Sequence, residues 1–197
     1  MKVSVIIVTF NGMKWLPKLL SSIPKKYHII FVDNNSTDNT VPYLSQQEGD
    51  ISLFENKQNL GFGAANNLGI TKAIERGDDY VFLLNQDAYL IEDPITDLIK
   101  VHQLNPKFGI LSPIHLDGTE ERLDYNFGKY LLDVDDNQLF NDFIIRSSLR
   151  QIYSLPFVNA AAWLVSIECI SKVGNFDPLF YHYGEDDNYC QRVLFHN

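Results

Sequence analysis

Oxygen-bearing side chains gather in this chain where apolar runs end. Tyr80-Val81-Phe82-Leu83-Leu84 is followed at once by Asn85-Gln86-Asp87. Side chains two apart on an extended chain face the same way, so Asn85 and Asp87 offer one neutral and one anionic oxygen on one side. A divalent ion holding a diphosphate takes hard oxygen ligands of this kind. An Asn/Asp turn that only caps a core strand has the same composition, and the spacing leaves both readings open. Thr9 and Asn11, Asp33, and Asn59 with Gly61 stand at the ends of other apolar runs in the same way. Glu185-Asp186-Asp187 follows Gly184 and heads a helical stretch over 188–195, where negative charge suits a helix N-terminus.

The elements that must position these residues follow from the hydrophobic pattern. Val3-Ser4-Val5-Ile6-Ile7-Val8-Thr9-Phe10 is β-branched almost throughout and predicts a buried strand. After the Asn11-Gly12 turn, Trp15, Leu16, Leu19, Leu20 and Ile23 form one helical stripe, with Pro17 tolerable in the first turn and Pro24 beyond the end. His28-Ile29-Ile30-Phe31-Val32-Asp33 reads as a second strand, 41–47 as a short helix, and Ile51-Ser52-Leu53-Phe54-Glu55 as an edge strand with partial alternation. A helix over 64–76 is closed by Gly77. The five apolar residues from Tyr80 suit a strand buried on both faces of a parallel sheet. A helix over 94–104 and a fifth strand over 108–113 complete an alternation spaced for right-handed βαβ units.

From 117 to 154 the pattern breaks, around the acidic, loop-like Asp133-Val134-Asp135-Asp136-Asn137. This stretch reads as a long excursion able to carry acceptor contacts. Order returns with Phe157-Val158-Asn159-Ala160-Ala161-Ala162-Trp163-Leu164-Val165 and a short helix ended by Gly174. In a parallel sheet the strand ends lie on one rim, so Thr9/Asn11, Asp33, Asn59/Gly61 and Asn85/Asp87 would converge on one site. The reading is an α/β fold with a Rossmann-like, mostly parallel central sheet flanked by helices.

Composition narrows the function classes. The chain has 197 residues, 45% of them hydrophobic, which suits one domain. Net charge is −9, with no basic footprint for nucleic acid. An acidic protein also repels anionic substrates unless a metal or a local donor array intervenes. Two cysteines, Cys169 and Cys190, in a chain of this size point to reduced thiols in a cytosolic core. No run of eighteen apolar residues predicts a transmembrane helix, and the start lacks a small-residue cleavage site, which gives a cytoplasmic expectation.

Five segments carry a resemblance: Val-Ile-Ile-Val-Thr-Phe-Asn (5–11), Val-Asp-Asn-Asn-Ser-Thr-Asp (32–38), Asn-Leu-Gly-Phe-Gly-Ala-Ala-Asn-Asn-Leu-Gly (59–69), Leu-Leu-Asn-Gln-Asp (83–87) and Tyr-Gly-Glu-Asp-Asp (183–187). In order and spacing they resemble the signature segments of family 2 glycosyltransferases, nearest to the rhamnosyltransferase-like branch. The resemblance implies a GT-A fold. It also implies inverting transfer of a sugar from a nucleotide-diphospho-sugar to a saccharide or lipid-linked acceptor in cell-surface polysaccharide synthesis. The protein would then work in the cytoplasm, peripheral to the inner face of the membrane where the acceptor is lipid-linked. The nucleotide-binding half would be 1–116 and the acceptor half 117–197.

Carried over by position, Thr9, Phe10 and Asn11 would line the nucleotide pocket, and Asp33 with Asn34 would meet the base or ribose; a capping carboxylate is the alternative for Asp33. Asn59 and Gly61 would let the backbone approach the nucleotide, since a side chain at 61 would intrude. Asn66 and Asn67 would satisfy free amides or touch the ligand. Asn85 and Gln86 would bind ribose or metal-bound water, and Asp87 would hold a divalent cation, Mg2+ or Mn2+, on the diphosphate. Asp186 would be the general base, with Glu185 its rival. Trp163, His182 and Tyr183 would face the acceptor, although core packing serves equally for Trp163 and a pocket wall for His182.

Three departures from the family pattern stand out. Many relatives carry aspartate where Asn85 stands, and arginine in the helix entry that reads Ala64-Ala65-Asn66-Asn67 here. Relatives also continue past the acidic cluster, so the chain reads as either a fragment truncated at its C-terminus or a minimal domain. A nicotinamide oxidoreductase would need a glycine-rich turn after the first strand, and Thr9-Phe10-Asn11-Gly12-Met13-Lys14 is not one. A nucleotidyltransferase and a non-catalytic sugar-nucleotide-binding module stay as rivals.

Overall fold

The β-branched run at the start of the chain lies inside the sheet, not at its edge. The computed structural model describes residues 1–132 and 138–196. Its strands are β1 (Val3–Thr9), β2 (His28–Asp33), β3 (Ile51–Glu55), β4 (Tyr80–Leu84), β5 (Ile110–Leu111) and β6 (Ala162–Ser166). They form one sheet in the order β3-β2-β1-β4-β6-β5. β1 pairs in parallel with β2 and with β4, and β3 adds in parallel beyond β2. β3 is an edge strand, as its half-buried pattern suggests.

Two expectations are corrected here. β4 is parallel to β1 on one side only; on the other it pairs antiparallel with β6, from Tyr80↔Ser166 to Leu84↔Ala162. An unbroken apolar run reports burial on both faces, not the direction of the neighbours, and β4 is buried throughout. The strand expected over 108–113 shrinks to Ile110–Leu111, antiparallel to β6. Phe108 turns back to bond the carbonyl of Asn105, and Pro113 has no N–H to offer a ladder.

The helices are α1 (Leu16–Ser22), α2 (Thr40–Leu44), α3 (Phe62–Arg76), α4 (Pro94–Leu104), α5 (Tyr125–Leu132), α6 (Gln138–Asn141), α7 (Ile167–Val173) and α8 (Glu185–His196). Leu16 and Leu19 of α1 and Ile95 of α4 join one core with Val5, Ile7, Phe31, Phe82, Leu84 and Leu164. Each such side chain contributes roughly 1.5–3 kcal/mol on burial. α3 packs on β1 and β2. It comes close because Gly69 has no side chain: a Cβ there would stand 2.5 Å from Ile6 Cγ2. α3 starts two residues before the expected 64, since Gly61 serves as its N-cap, and Gly77 closes it in the left-handed conformation. α8 starts at Glu185 and not at 188, so the acidic residues are its first turn.

The chain divides into two compact units, one of Met1–Pro113 with the segment from Ala160 onward, the other Ile114–Asn159. The second unit holds α5, α6 and a π-turn over Asp142–Arg146. Its buried Asp142 takes Arg150 Nε at 2.7 Å, Arg146 Nη1 at 3.2 Å and the Tyr153 hydroxyl at 3.2 Å. The acidic stretch at 133–137 lies outside the described residues.

Candidate active site at the strand ends

Because β2, β1 and β4 are parallel, Asp33, Thr9 and the residues after Leu84 leave the sheet on one rim. Thr9 is the register partner of Asp33, and its Oγ1 donates to Asp33 Oδ1 at 2.8 Å. Ser36 adds its backbone N to Oδ2 at 2.7 Å and its hydroxyl to Oδ1 at 2.5 Å. Asp33 is buried. Three of about four acceptor positions on its carboxylate are thus taken by the protein. These bonds tie the end of β2 to the 34–38 loop and cap no helix, since Asn39 is the N-cap of α2.

The other oxygens of this rim also work largely within the protein. Asn11 has φ +50, a conformation asparagine tolerates, and its Oδ1 accepts from Thr37 N at 2.8 Å and Asp38 N at 3.3 Å. It draws the 36–38 loop against the end of β1. Gln86 closes on the backbone of Phe10, accepting from its N at 3.0 Å and donating to its O at 3.2 Å. The amide prolongs the pairing of β1 with β4 past their ends. Asn34, also buried, donates to the Gly61 carbonyl at 3.1 Å and accepts from Asn56 Nδ2 at 3.0 Å and Leu60 N at 3.3 Å. Asn59 caps Gly61 N at 2.9 Å. In contrast, the Asn85 amide and the Asp87 carboxylate make no hydrogen bond or ion pair with the described residues, and Asp87 is exposed.

The acidic helix start meets this rim through the first turn of α3. Gly61 has φ +81, and a Cβ on it would lie 2.2 Å from the Tyr181 carbonyl oxygen. Glycine at 61 thus permits the close approach of the residue 181 backbone. Tyr181 also donates its hydroxyl to the Asn59 carbonyl at 3.2 Å. A Cβ on Gly63 would stand 3.7 Å from Glu185 Cβ. Tyr183 and Gly184, with φ +65 and +89, turn the chain sharply into α8. Glu185 is 7% exposed, and its Oε2 has no hydrogen-bond partner among the described residues. Asp186 is partly exposed and accepts from Asp187 N at 2.9 Å.

Glycosyl transferase family 2 matches residues 4–168 as a family profile. The chain belongs to this family. Among curated relatives, the low-salt glycan biosynthesis hexosyltransferase Agl10 of Haloferax volcanii is 23% identical over 96% of this chain and 61% of its own length. The O-antigen chain rhamnosyltransferase RfbN of Salmonella typhimurium is 31% identical over 50% of this chain and 32% of its own. Among solved structures, the mannosyltransferase PcManGT of Pyrobaculum calidifontis, in complex with GDP-Man and Mn2+, aligns over 98% of this chain and 51% of its own, with TM-score 0.71 and 18% identity. Staphylococcus aureus TarS (1–349) aligns with TM-score 0.70 and 20% identity over all of this chain and 56% of its own. The chain thus spans about three fifths or less of these proteins. The sheet and its flanking helices are of the GT-A type.

Against that family background, three expected site residues need correction. Trp163 offers no platform to an acceptor: it is fully buried, stacked on Phe176 at 6.2 Å and set against Tyr189 at 5.9 Å. Asn66 is buried and returns its amide to the carbonyl of Phe62, one turn back, at 3.0 Å. Gln86 spends its amide on Phe10, as described. His182 and Tyr183 are exposed, with their rings 4.1 Å apart. Sequence reasoning gave no role to Ser36, Phe176 or Tyr181. Ser36 was readable as a capping residue; the backbone contacts of Phe176 and Tyr181 leave no trace in residue type.

A divalent cation fits the residues present in one mode only. No group of three or more His, Cys, Asp or Glu side chains is gathered as a cage among the described residues. Mg2+ is commonly held by one or two carboxylates together with substrate phosphates and water, without an all-protein cage. Asp87, exposed and uncommitted at the rim, suits that mode, with Asn85 able to bond a metal-bound water.

Proposed function

We propose that this chain is the catalytic region of an inverting glycosyltransferase. It takes a nucleotide-diphospho-sugar donor and a saccharide or lipid-linked acceptor of cell-surface polysaccharide synthesis. The reading rests on one observation above all: the acidic first turn of α8 meets α3 at Gly63 through Glu185, and the segment leading into it meets Gly61 through Tyr181, at the strand-end rim from which the free Asn85 and Asp87 side chains emerge. The occurrence of GDP-Man and Mn2+ in PcManGT and of UDP-GlcNAc in a TarS complex supports the donor class. The nucleotide half, 1–116, would receive the donor over Thr9, Asn11, Asp33 and Gly61, and the half 117–197 would supply the base and the acceptor contacts.

In the reaction the acceptor hydroxyl attacks the anomeric carbon from the face opposite the diphosphate. The bond to the leaving phosphate oxygen breaks, and the configuration inverts. Asp186, the more accessible of the acidic pair, takes the hydroxyl proton; Glu185, almost sealed from solvent, is poorly placed to meet an acceptor. Such proton transfer contributes typically ~10²–10⁴-fold. His182 and Tyr183 stand exposed just ahead of the base and form the acceptor wall. A divalent cation on Asp87 would supply Lewis-acid neutralisation of the leaving group. The proposed site of action is the cytoplasm; no helix among the described residues is long and apolar enough to cross a membrane.

The test is a panel of UDP-, dTDP- and GDP-sugars with Mn2+ or Mg2+, following nucleoside diphosphate release. Asp186→Asn is expected to lower turnover by at least roughly 10²-fold while donor affinity stays within a few-fold. Asp87→Ala is expected to abolish the metal dependence of donor binding. Unchanged turnover in Asp186→Asn, or donor binding indifferent to chelation, would overturn the respective assignment.

A further inference from the structure

We infer that Gly63 and Asn67, one turn apart on α3, set the distance at which the acidic start of α8 stands from the nucleotide rim, and so act as positioning residues for Asp186. This rests on the transferase reading above. The Asn67 amide pairs both ways with the backbone of Phe176: Nδ2 donates to the Phe176 carbonyl at 2.9 Å, and Phe176 N donates to Oδ1 at 2.9 Å. Two bonds from one planar group fix both separation and orientation of that backbone. Gly63 presents no side chain to the same segment. A Cβ there would be 3.1 Å from Phe176 Cβ and 3.7 Å from Glu185 Cβ.

Phe176 transmits this seating to the acidic helix. Its ring is buried against Tyr189 of α8 at 4.9 Å, Phe62 of α3 at 6.0 Å and Trp163 of β6 at 6.2 Å. It is a wedge between the helix under the nucleotide rim and the helix that carries the base. Further along, the clip of Tyr181 on Gly61 and Asn59 closes the same segment down. A displacement of Phe176 is thereby passed to Glu185 and Asp186, not absorbed in a free loop.

A purely structural role and a positioning role make opposite forecasts for Gly63→Ala. Gly63 lies inside a helix without a positive φ, and alanine is the better helix former there. The added methyl instead moves its neighbours by a few tenths of an ångström. Misplacement by 1 Å can cost about 10²-fold, so a roughly 5–10-fold loss of kcat is expected for this smaller shift. Donor Kd and Tm should stay near the wild-type values. Asn67→Asp keeps the acceptor for Phe176 N but sets a carboxylate oxygen against its carbonyl, so a lower Tm is expected together with a loss of kcat out of proportion to it.

Unchanged kcat in both variants would overturn the inference. So would a loss that follows Tm or donor Kd in proportion. If the unmodified protein turns over no donor, the transferase reading itself fails. The seating is then read from crystal structures of wild type and Gly63→Ala: a displaced Asp186 carboxylate relative to Asp33 supports it, and coincident carboxylates refute it.

Discussion

Gln86 spends both hydrogen-bonding groups of its amide on Phe10, and Asn34 spends its own on three points of the 56–61 loop. Amides of this kind hold the rim so that only a few groups, chiefly Asn85 and Asp87, remain to meet a ligand. Residues that look alike in sequence therefore respond differently to change. His182→Ala and Tyr183→Ala should raise the acceptor KM and leave urea-induced unfolding almost unmoved, because both side chains are exposed. Trp163→Ala should instead cost about 3–5 kcal/mol in the same unfolding measurement, since it empties a closed aromatic cluster. Residue type singled out the acidic pair and Asp87, whose roles are proposed above. It did not separate Asn66, which bonds its own helix, from Asn67, which reaches 109 residues along the chain. Both are asparagines in the second turn of α3, and only the neighbour that packs there tells them apart.

At the scale of elements, α4 shows how a helix start is secured. Asp93 is its N-cap, bonds Thr96 and Tyr27, and pairs with Lys26 at 2.5 Å. Partial burial pushes the Asp93 carboxyl upward, but the bonds from Lys26, Thr96 and Tyr27 prevail and hold it at about 2, below its ordinary 3.8. A depressed carboxyl stabilises the fold above its unfolded value and loses that contribution as pH falls through the folded value. Asp93→Ala should thus cost about 1 kcal/mol at neutral pH through the lost cap. The gap to wild type should shrink as urea titrations are repeated from pH 4 towards pH 2. Caps and breakers such as Pro94, Gly77 and Gly174 placed these elements from sequence to within a residue or two. Strand direction beyond β4 was hidden, because apolar runs carry no record of which way a neighbour points.

The whole molecule is acidic, at −9, and is proposed to bind an anionic donor. Electrostatics then demand a counter-charge, and the observable is linkage. Donor at 100 times its Kd should raise stability by about 2.7 kcal/mol in the presence of Mn2+ or Mg2+. Most of that gain should vanish with a chelator, as read from thermal unfolding. Family, fold class and the shared rim were all visible in the spacing of five segments; the character of 114–159, where periodicity is weak, was not.

The place of β6 between β4 and β5 also bears on synthesis. β4 carries five buried apolar residues, yet the strand that covers its second edge begins only at residue 162. A nascent polypeptide leaving the ribosome therefore presents an open, wholly hydrophobic ladder until much of the sequence has been translated. Uncovered edges of this kind recruit other chains. Premature termination anywhere between 113 and 162 should yield aggregates or chaperone-bound species, and β6 is the segment whose arrival ends that hazard.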